Sequence, residues 1–386
     1  MVATSTPTSS TAFTRTLPTD PRLANGKWLR IPGPTVLHPA VIETANRPMV
    51  PHRSPEAAGL VDRLSHNLKL VHATEQHVFW WTGTGSAGWE ASIVNLTSPG
   101  DRIVVTVSGD FGDRYAKTAA RLGLDVHRID VEWGTAVTPE MLDEAFREHG
   151  PFRAAFITHS ETSTGLANPL KELAAVARSH GALVVVDAVS SAAAMPVNVD
   201  AWDLDWVLSG SQKAWMCPPG LMISAVSERA MAAAEESTFP RFIWDVRTVA
   251  EATANHTSAQ TPALSLQYAL DAAVNAMLEE GLEAMYARHA RLGGHMRDGL
   301  IANGLRVLAD PAYPSQAVTA FHLPDGFENA QVFHDRLRDE YGIEIAIGQG
   351  HLAQSVLRVG HMGYVDQPEL DATIEAIADL AKKPQG

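Results

Sequence analysis

Short apolar segments alternate with stretches of helical pattern between residues 78 and 227, and this alternation limits the fold more than any other feature. The apolar segments are rich in Val, Ile and aromatic residues, which is typical of buried strands. They are VFWWTG (78–83), RIVVTV (102–107), AAFITHS (154–160), ALVVVDAVS (182–190), WVLSGS (206–211) and LMISAVS (221–227). The stretches between them that we predict to be helical are 86–97, 112–123, 138–149 and 168–180. The pattern predicts an α/β fold whose mostly parallel sheet is covered by helices on both faces.

After residue 227 the pattern changes. Thr261-Pro262 is a typical helix start, and the helical pattern that follows extends to about residue 303. Further helices are predicted at 328–341 and 366–382, among apolar runs at 305–310, 317–324, 343–348 and 356–360. A length of 386 residues suits two domains or one large one. We predict a flexible N-terminal arm, a large domain and a smaller C-terminal α+β domain, with bounds at 1–27, 28–280 and 281–386.

Composition excludes several functional classes. The net charge of −14 argues against nucleic acid or an anionic membrane as the main partner, and no apolar run is long enough for a membrane span. The single cysteine excludes an internal disulfide framework and suits a cytoplasmic location. The 16 histidines form no HExxH pattern, so no metal site is predicted. Charged residues make up 19% of the chain against about 25% typically, which is compatible with surface buried in a subunit interface.

Lys213 follows an apolar strand in SGSQKAWMCPPG, a segment without any other charge. A lysine that is partly removed from water loses some of its preference for the charged form, and its neutral amine can form a Schiff base. Taken alone, however, a lysine in a loop is more often exposed on the surface.

Asp187 ends the apolar run LVVVD, where a carboxylate is costly unless it is paired. It could hold a cation at the end of the sheet, or it could simply accept hydrogen bonds from nearby backbone. A third segment, TGTGSAGWEA (82–91), places glycines and hydroxyls between a strand and a helix start, where backbone N–H groups can bind a phosphate. Such turns are common, and this one is neither a Walker A motif nor a dinucleotide-binding fingerprint.

The run HSETSTGLANPL…VVVDAVSS…SGSQKAWMCPPG resembles the class V aminotransferases of pyridoxal-phosphate fold type I. It is most similar to the alanine–glyoxylate, serine–glyoxylate and serine–pyruvate aminotransferase group. PGPTVLHPAV (32–41), the HRSPE segment (52–56) and LRVGHMG (357–363) extend the resemblance over nearly the whole chain from about residue 28. The resemblance implies pyridoxal 5'-phosphate as cofactor and a homodimer whose active sites lie at the subunit interface.

The resemblance also implies a role for individual residues. Lys213 matches the Schiff-base lysine, and Asp187 matches the acid that pairs with the pyridine nitrogen of the cofactor. Arg358 matches the arginine that binds the substrate carboxylate. The other implied cofactor-binding residues are Thr84, Gly85 and Ser86 in the phosphate-binding segment, Gln212 before the lysine, Thr162 at the ring oxygen, Phe111 over the ring, and Thr261 at the neighbouring subunit's phosphate.

Phe111 and Ser258 depart from the family pattern. Phe111 occupies a position at which family members often have a tryptophan, and Ser258 stands where some members have a tyrosine. Cys217 lies in the lysine loop, whereas a desulfurase would need a cysteine on a mobile loop, so we predict a buried apolar role for it.

The implied activity is transfer of an amino group from a small amino acid, of alanine or serine type, to a 2-oxo acid such as glyoxylate or pyruvate. The alternatives are a pyridoxal-phosphate lyase of the same fold and, less favoured, a non-catalytic binding protein.

Overall fold

The computed structural model of the chain describes residues 23, 24 and 26–384. The strands are β1 (Leu23–Ala24), β2 (Lys27–Leu29), β3 (His77–Thr82), β4 (Arg102–Val107), β5 (Asp125–Asp130), β6 (Ala154–Thr158), β7 (Ser160–Glu161), β8 (Leu166–Ala167), β9 (Leu183–Asp187), β10 (Trp206–Gly210), β11 (Leu221–Val226), β12 (Val318–His322), β13 (Ile343–Glu344), β14 (Ala346–Ile347) and β15 (Val356–Gly360). The helices are α1 (Pro39–Glu43), α2 (Pro55–His72), α3 (Gly85–Leu96), α4 (Asp110–Arg121), α5 (Pro139–His149), α6 (Leu170–Ser179), α7 (Glu228–Glu236), α8 (Val246–Ala254), α9 (Leu264–Glu280), α10 (Leu282–Ala302), α11 (Ala330–Tyr341) and α12 (Gln367–Ala381).

A seven-stranded sheet in the order β3-β11-β10-β9-β6-β4-β5 forms the centre of the fold. Its strands are parallel except β11, which is antiparallel to both β3 and β10. All six apolar runs predicted as strands between residues 78 and 227 contribute a strand to this sheet. The predicted α/β class with a mostly parallel sheet is confirmed.

Both faces of this sheet are covered, because alternate residues of its central strands belong to two different cores. On β9, Val184 and Val186 pack into the core that contains α2, α5, α6 and α9. Leu183 and Val185 point the other way, into the core that contains α3, α4 and α7. Every residue of β6, β9, β10 and β11 is buried, which is why these segments have continuous apolar sequences.

The sequence analysis missed β5 and the helices α1, α2, α7 and α8. Strand β5 has the sequence DVHRID and pairs only with β4, so it is an edge strand with no fully buried residue. An edge strand needs no continuous apolar run, and its polar sequence hid it.

The predicted long helix after Thr261-Pro262 is two helices. Gly281 separates α9 from α10 with a φ of +85°, a conformation that L side chains rarely adopt and that a continuous helix cannot contain. The helix that Thr261-Pro262 was predicted to start begins at Leu264.

Smaller sheets accompany the C-terminal helices. One has the order β12-β15-β14, and another joins β1 and β2 to β13. Strand β2 begins at Lys27 and pairs in parallel with Ile343–Glu344, so the chain near residue 28 contacts the C-terminal part. Most of the predicted N-terminal arm lies outside the described residues, and its last residues include β1. Within the described residues, no helix has both the length and the apolar character needed to cross a bilayer.

Asn168 does not start a helix, although Asn168-Pro169 resembles the Thr138-Pro139 start of α5. The Thr138 hydroxyl caps α5 by accepting a hydrogen bond from the Met141 N–H. The Asn168 side chain instead accepts from the Val137 N–H at 3.0 Å and donates to the Thr158 carbonyl at 2.8 Å. It therefore satisfies backbone groups of two separate buried segments.

We expect Asn168→Ala to lower the free energy of unfolding by about 2–4 kcal/mol, because it leaves a buried N–H and a buried carbonyl unpaired. Urea denaturation of the apoprotein measures this change. Asn67→Ala is the matched control, because Asn67 makes its hydrogen bond to Asn275 on the surface; a change within about 0.5 kcal/mol is expected there. Equal effects of the two substitutions would contradict the assigned role of Asn168.

Candidate active site

The candidate site lies at the carboxyl ends of β9 and β10, where parallel α/β sheets bind their ligands. Asp187 is the last residue of β9 and pairs in register with Leu208 of β10. Lys213 follows the end of β10 at Gly210 by three residues. The adjacent parallel strands therefore place both predicted groups at the same edge of the sheet.

The Lys213 side chain is buried under the segment that precedes α1. Its Nζ donates a hydrogen bond to the Pro32 carbonyl oxygen, and the Thr35 hydroxyl donates to the Lys213 carbonyl at 2.8 Å. A Cβ on Gly33 would lie 2.7 Å from the Lys213 Cδ, so this close approach requires glycine. Burial, followed by the positive charge of Arg358, lowers the pKa of the Lys213 amine to about 8. Lys213 is therefore a buried lysine and not an exposed one on a loop.

Asp187 is buried, and both of its carboxylate oxygens accept hydrogen bonds. The Trp89 indole Nε1 donates to Oδ2 at 2.7 Å, and the Val189 N–H donates to Oδ1 at 2.9 Å. Burial raises the pKa of the carboxyl group against these hydrogen bonds. Among the described residues, no cationic side chain lies within the 4.0 Å of an ion pair with Asp187. The site thus contains a buried acid that can still pair with a cation.

The N-terminus of α3 lies beside Asp187. A Cβ on Gly85 would lie 2.6 Å from Cγ2 of Val189, so the helix start packs directly against the Val189 side chain, two residues after the end of β9. Thr84 is the N-cap residue, and its side chain makes no capping hydrogen bond. Thr84 and Ser86 are exposed. The first N–H groups of a helix lack intrahelical partners, so this turn offers donors to an anion.

A cavity of about 350 Å³ contains four of the predicted site residues, Phe111, Thr162, Lys213 and Arg358. Its wall is otherwise formed by the N-terminal segment, by α11 and by residues between α11 and β15. These are Ile31, Pro32, Gly33, Gln331, His334, Ile345, Ala346, Ile347 and Gln349.

Arg358 lies in the middle of β15, and its guanidinium is held by three acceptors. They are the Ile347 carbonyl at 2.9 Å, the Gln349 Oε1 at 2.9 Å and the Thr162 carbonyl at 3.3 Å. Burial lowers the pKa of Arg358 to about 10, a value at which it keeps its charge near neutral pH. The side chain is buried and is not an exposed charge at a strand edge.

Glu161 positions the start of α4, which carries Phe111. Its buried carboxylate accepts hydrogen bonds from the N–H groups of Phe111 and Gly112, at 3.3 and 3.1 Å. The Ser163 hydroxyl donates to the same carboxylate at 2.6 Å. A side chain at Gly109 would overlap Glu161, so this contact also depends on glycine.

Two further predicted residues lie close to this arrangement. The Thr162 hydroxyl forms a hydrogen bond with the Ser190 hydroxyl at 2.5 Å. Ser190 lies three residues after Asp187 in the chain. Gln212 precedes Lys213, and its buried Oε1 has no hydrogen-bond partner. A buried polar atom without a partner indicates a place for a polar ligand group.

Thr261 lies elsewhere in the single chain. It is exposed and lines a separate cavity of about 190 Å³ with Thr82, Ile243 and Trp81, among others. The chain by itself does not bring Thr261 into the cavity that contains Lys213.

Sequence reasoning missed three residues that hold the predicted ones in place, namely Pro32, Trp89 and Glu161. Trp89 is buried, and its indole reaches the site. Pro32 and Glu161 fall inside segments that carried the resemblance, so their positions were available as a signal. Their contacts were not, because Pro32 and Lys213 lie 181 residues apart.

Comparison with known proteins agrees with this geometry. Residues 43–372 match the family model described as Aminotransferase class-V. The chain is 35% identical to the L-aspartate–glyoxylate aminotransferase of Paracoccus denitrificans, covering 86% of this chain and 85% of that protein. It is 37% identical to a Synechococcus sp. protein named soluble hydrogenase, small subunit, over 90% of this chain and 91% of that protein. The crystal structure of an alanine–glyoxylate aminotransferase from Nostoc sp. superimposes with a TM-score of 0.88 at 31% identity, covering 94% of this chain and 97% of that chain.

The fold and these matches define a pyridoxal-phosphate enzyme of fold type I. The chain belongs to the class V aminotransferase family and is a pyridoxal-phosphate-dependent aminotransferase. The residues present fit this cofactor. A desolvated amine, a buried acid with no ion-pair partner in the described part of the chain, and a helix N-terminus whose N-cap residue makes no capping hydrogen bond there all lie at one edge of the sheet.

We expect the Lys213 amine of the apoprotein to react with an acylating reagent with a midpoint near pH 8, because burial favours its neutral form. Competitive labelling across pH, followed by peptide mass spectrometry, measures this midpoint. Exposed lysines of the same digest serve as the internal reference, with an unperturbed pKa of about 10.4.

Arg358 variants test the second cause of this shift. Arg358→Gln removes the nearby positive charge and should move the Lys213 midpoint upward, whereas Arg358→Lys keeps a charge and should move it less. A wild-type midpoint close to that of the exposed lysines would contradict the assigned desolvation of Lys213.

Proposed function

We propose that this protein transfers the amino group of a small amino acid, of alanine or serine type, to glyoxylate or pyruvate. The observation that carries the proposal is that two desolvated groups, the Lys213 amine and the Asp187 carboxylate, lie at the same sheet edge. The buried guanidinium of Arg358 lines the same cavity as Lys213. The names of two relatives support glyoxylate as acceptor, since one is an L-aspartate–glyoxylate aminotransferase and the other a serine–glyoxylate aminotransferase.

In this proposal Lys213 binds the cofactor covalently and later moves a proton. Its Nζ has a pKa of about 8, so a substantial fraction is neutral near neutral pH and can act as a nucleophile. Once released from the cofactor by the amino acid, the Lys213 amine would accept the proton from the substrate Cα. Pyridoxal phosphate supplies a carbonyl carbon and an electron-withdrawing ring.

Asp187 would hold the pyridine nitrogen in its protonated form, because a buried carboxylate is stabilised by a cation beside it. Thr84, Gly85 and Ser86 would bind the phosphate through the N-terminus of α3. Phe111 would cover the ring, while Thr162 and Gln212 would donate hydrogen bonds to its polar substituents. These roles come from the family resemblance. They are supported by the finding that Phe111, Thr162 and Lys213 line one cavity.

Arg358 would bind the substrate carboxylate. A guanidinium offers donors in a planar fork that matches a carboxylate. Three protein acceptors already fix its orientation, so little side-chain freedom remains to be lost on binding. Ile31, Ile345 and Ile347 give the same cavity an apolar wall, which suits a small side chain on the donor.

We also propose a cytoplasmic homodimer in which Thr261 completes the phosphate site of the neighbouring subunit. The exposure of Thr261 outside its own Lys213 cavity supports this, as does the nearby exposed apolar pair Phe242 and Ile243, at 78% and 50%. The division into a cofactor domain (28–280) and a small domain (281–386) that carries Arg358 is part of the same proposal.

Two other activities fit the residues less well. Iron–sulfur clusters are held by several cysteine thiolates, and the chain has one cysteine, so the hydrogenase name of one relative finds no ligand set here. Desulfuration requires a reactive cysteine, whereas Cys217 is buried and its pKa is raised by burial.

A stoichiometry experiment separates amino transfer from elimination. With serine and no acceptor, we expect the holoenzyme to release about one hydroxypyruvate per site and then stop, because the cofactor retains the amino group. Addition of glyoxylate should restore turnover and form glycine, with ping-pong kinetics. Alanine as donor, with pyruvate measured as product, is the parallel test.

Continuous formation of pyruvate and ammonia from serine without an acceptor would identify a lyase and contradict the proposal. Lys213→Ala is the matched control, and it should give neither product because both the covalent attachment and the proton carrier are lost.

A further inference from the structure

Trp89 connects the N-terminus of α3 to the acid at the end of β9. It lies on α3 four residues after Gly85, and its side chain is buried. Its indole N–H donates to Oδ2 of Asp187 at 2.7 Å across 98 residues of sequence. The other carboxylate oxygen accepts only a backbone N–H, from Val189. The Trp89 side chain therefore fixes the orientation of the Asp187 carboxylate.

The rings around Trp89 connect the same residue to Phe111. The Trp89 ring stacks on Tyr115 with centroids 5.4 Å apart, and it meets Phe111 edge to face at 6.4 Å. The Arg114 guanidinium lies 5.5 Å from both the Trp89 and the Phe111 ring centroids. One side chain thus contacts both the proposed partner of the pyridine nitrogen and the proposed cover of the ring.

The indole of Trp89 differs from two other buried indoles of the fold. Among the described residues, the buried Nε1 atoms of Trp206 and Trp215 find no hydrogen-bond partner, so these indoles contribute no hydrogen bond there. A buried hydrogen bond to a charged acceptor is stronger than one between neutral groups. The Trp89 donor therefore has an energetic role that packing of its ring does not explain.

We propose that Trp89 is a positioning residue for cofactor binding: it holds the Asp187 carboxylate ionised and oriented and keeps the Phe111 ring in place. The inference rests on the proposed function, because the pairing of Asp187 with the pyridine nitrogen is itself part of that proposal. Trp89 acts through Asp187 and Phe111.

The direction of the expected pH effect follows from the charges around Asp187. Burial raises its pKa, while the Val189 and Trp89 hydrogen bonds and the charges of Lys213 and Arg114 lower it. Tyr115 also faces it and stays neutral, because burial raises its own pKa well above the usual value. Loss of the Trp89 donor must then raise the Asp187 pKa, so that the carboxyl group becomes protonated at a higher pH.

The test compares Trp89→Phe with Trp206→Phe, which removes a buried indole that donates no hydrogen bond. Equilibrium titration of each apoprotein with pyridoxal phosphate gives the dissociation constant as a function of pH. We expect Trp89→Phe to bind about tenfold more weakly near pH 8, and its loss of affinity on acidification to begin about one pH unit higher than in the wild type. Trp206→Phe should follow the wild-type curve, because it leaves the Asp187 hydrogen bonds unchanged. The titrations of Lys213 and of the cofactor phosphate contribute equally to the curves of the wild type and of both variants.

Asp187→Asn separates failure of this inference from failure of the proposed function. Trp89→Phe removes the indole donor to Asp187 but keeps an aromatic ring beside Phe111. The double variant of Trp89→Phe and Asp187→Asn should therefore bind as Asp187→Asn does, within about twofold, because the two substitutions remove the same interaction. Full additivity would overturn the inference. Wild-type affinity in Asp187→Asn would overturn the proposed role of Asp187, whereas weakened binding there with normal binding in Trp89→Phe would overturn the role of Trp89 alone.

The indole N–H resonances of the ¹⁵N-labelled apoprotein give a reading that does not depend on folding of Trp89→Phe. A single indole resonance should move when Asp187→Asn replaces the carboxylate by an amide, and the same resonance should shift when wild-type apoprotein binds pyridoxal phosphate. Indole resonances that respond to neither change would overturn the inference.

Discussion

Desolvation of two opposite charges at the ends of neighbouring strands is the constraint on which the rest of this structure depends. Lys213 and Asp187 are both buried at the same sheet edge, and Asp187 has no ion-pair partner among the described residues. Isolated buried charges are costly, so other groups have to hold each of them. Pro32 accepts from the amine, while Trp89 and Val189 donate to the carboxylate. The amine retains a pKa of about 8, which makes it reactive near neutral pH.

Three close approaches around these two groups depend on glycines, which have no side chain. Gly33 lets the N-terminal segment cover Lys213, and Gly85 lets α3 start against Val189. Gly109 leaves space for the Glu161 carboxylate, which fixes the helix turn that carries Phe111. The site is therefore assembled from segments that approach each other closely around the sheet edge. Strand β15, which belongs to another sheet, adds Arg358 to the cavity that Lys213 lines.

The sequence predicts what local pattern controls and misses what long-range contact controls. The buried central strands were predicted because they are apolar throughout, whereas β5 was missed because an edge strand can be polar. Helix α2 carried a readable start, since Ser54 caps it and Pro55 opens it. Lys213 and Asp187 stood out as charges in apolar surroundings. The donor from Trp89 did not, because periodicity along a helix says nothing about which distant carboxylate an indole will reach.

The central claim is that the buried amine of Lys213 is the point at which the cofactor is attached. Reduction of the holoenzyme with borohydride makes that attachment permanent, and peptide mass spectrometry then locates the added phosphopyridoxyl mass. The account predicts the added mass on Lys213 at close to one per chain. The same mass on another lysine, or its absence from a holoenzyme that is fully active before reduction, would contradict it.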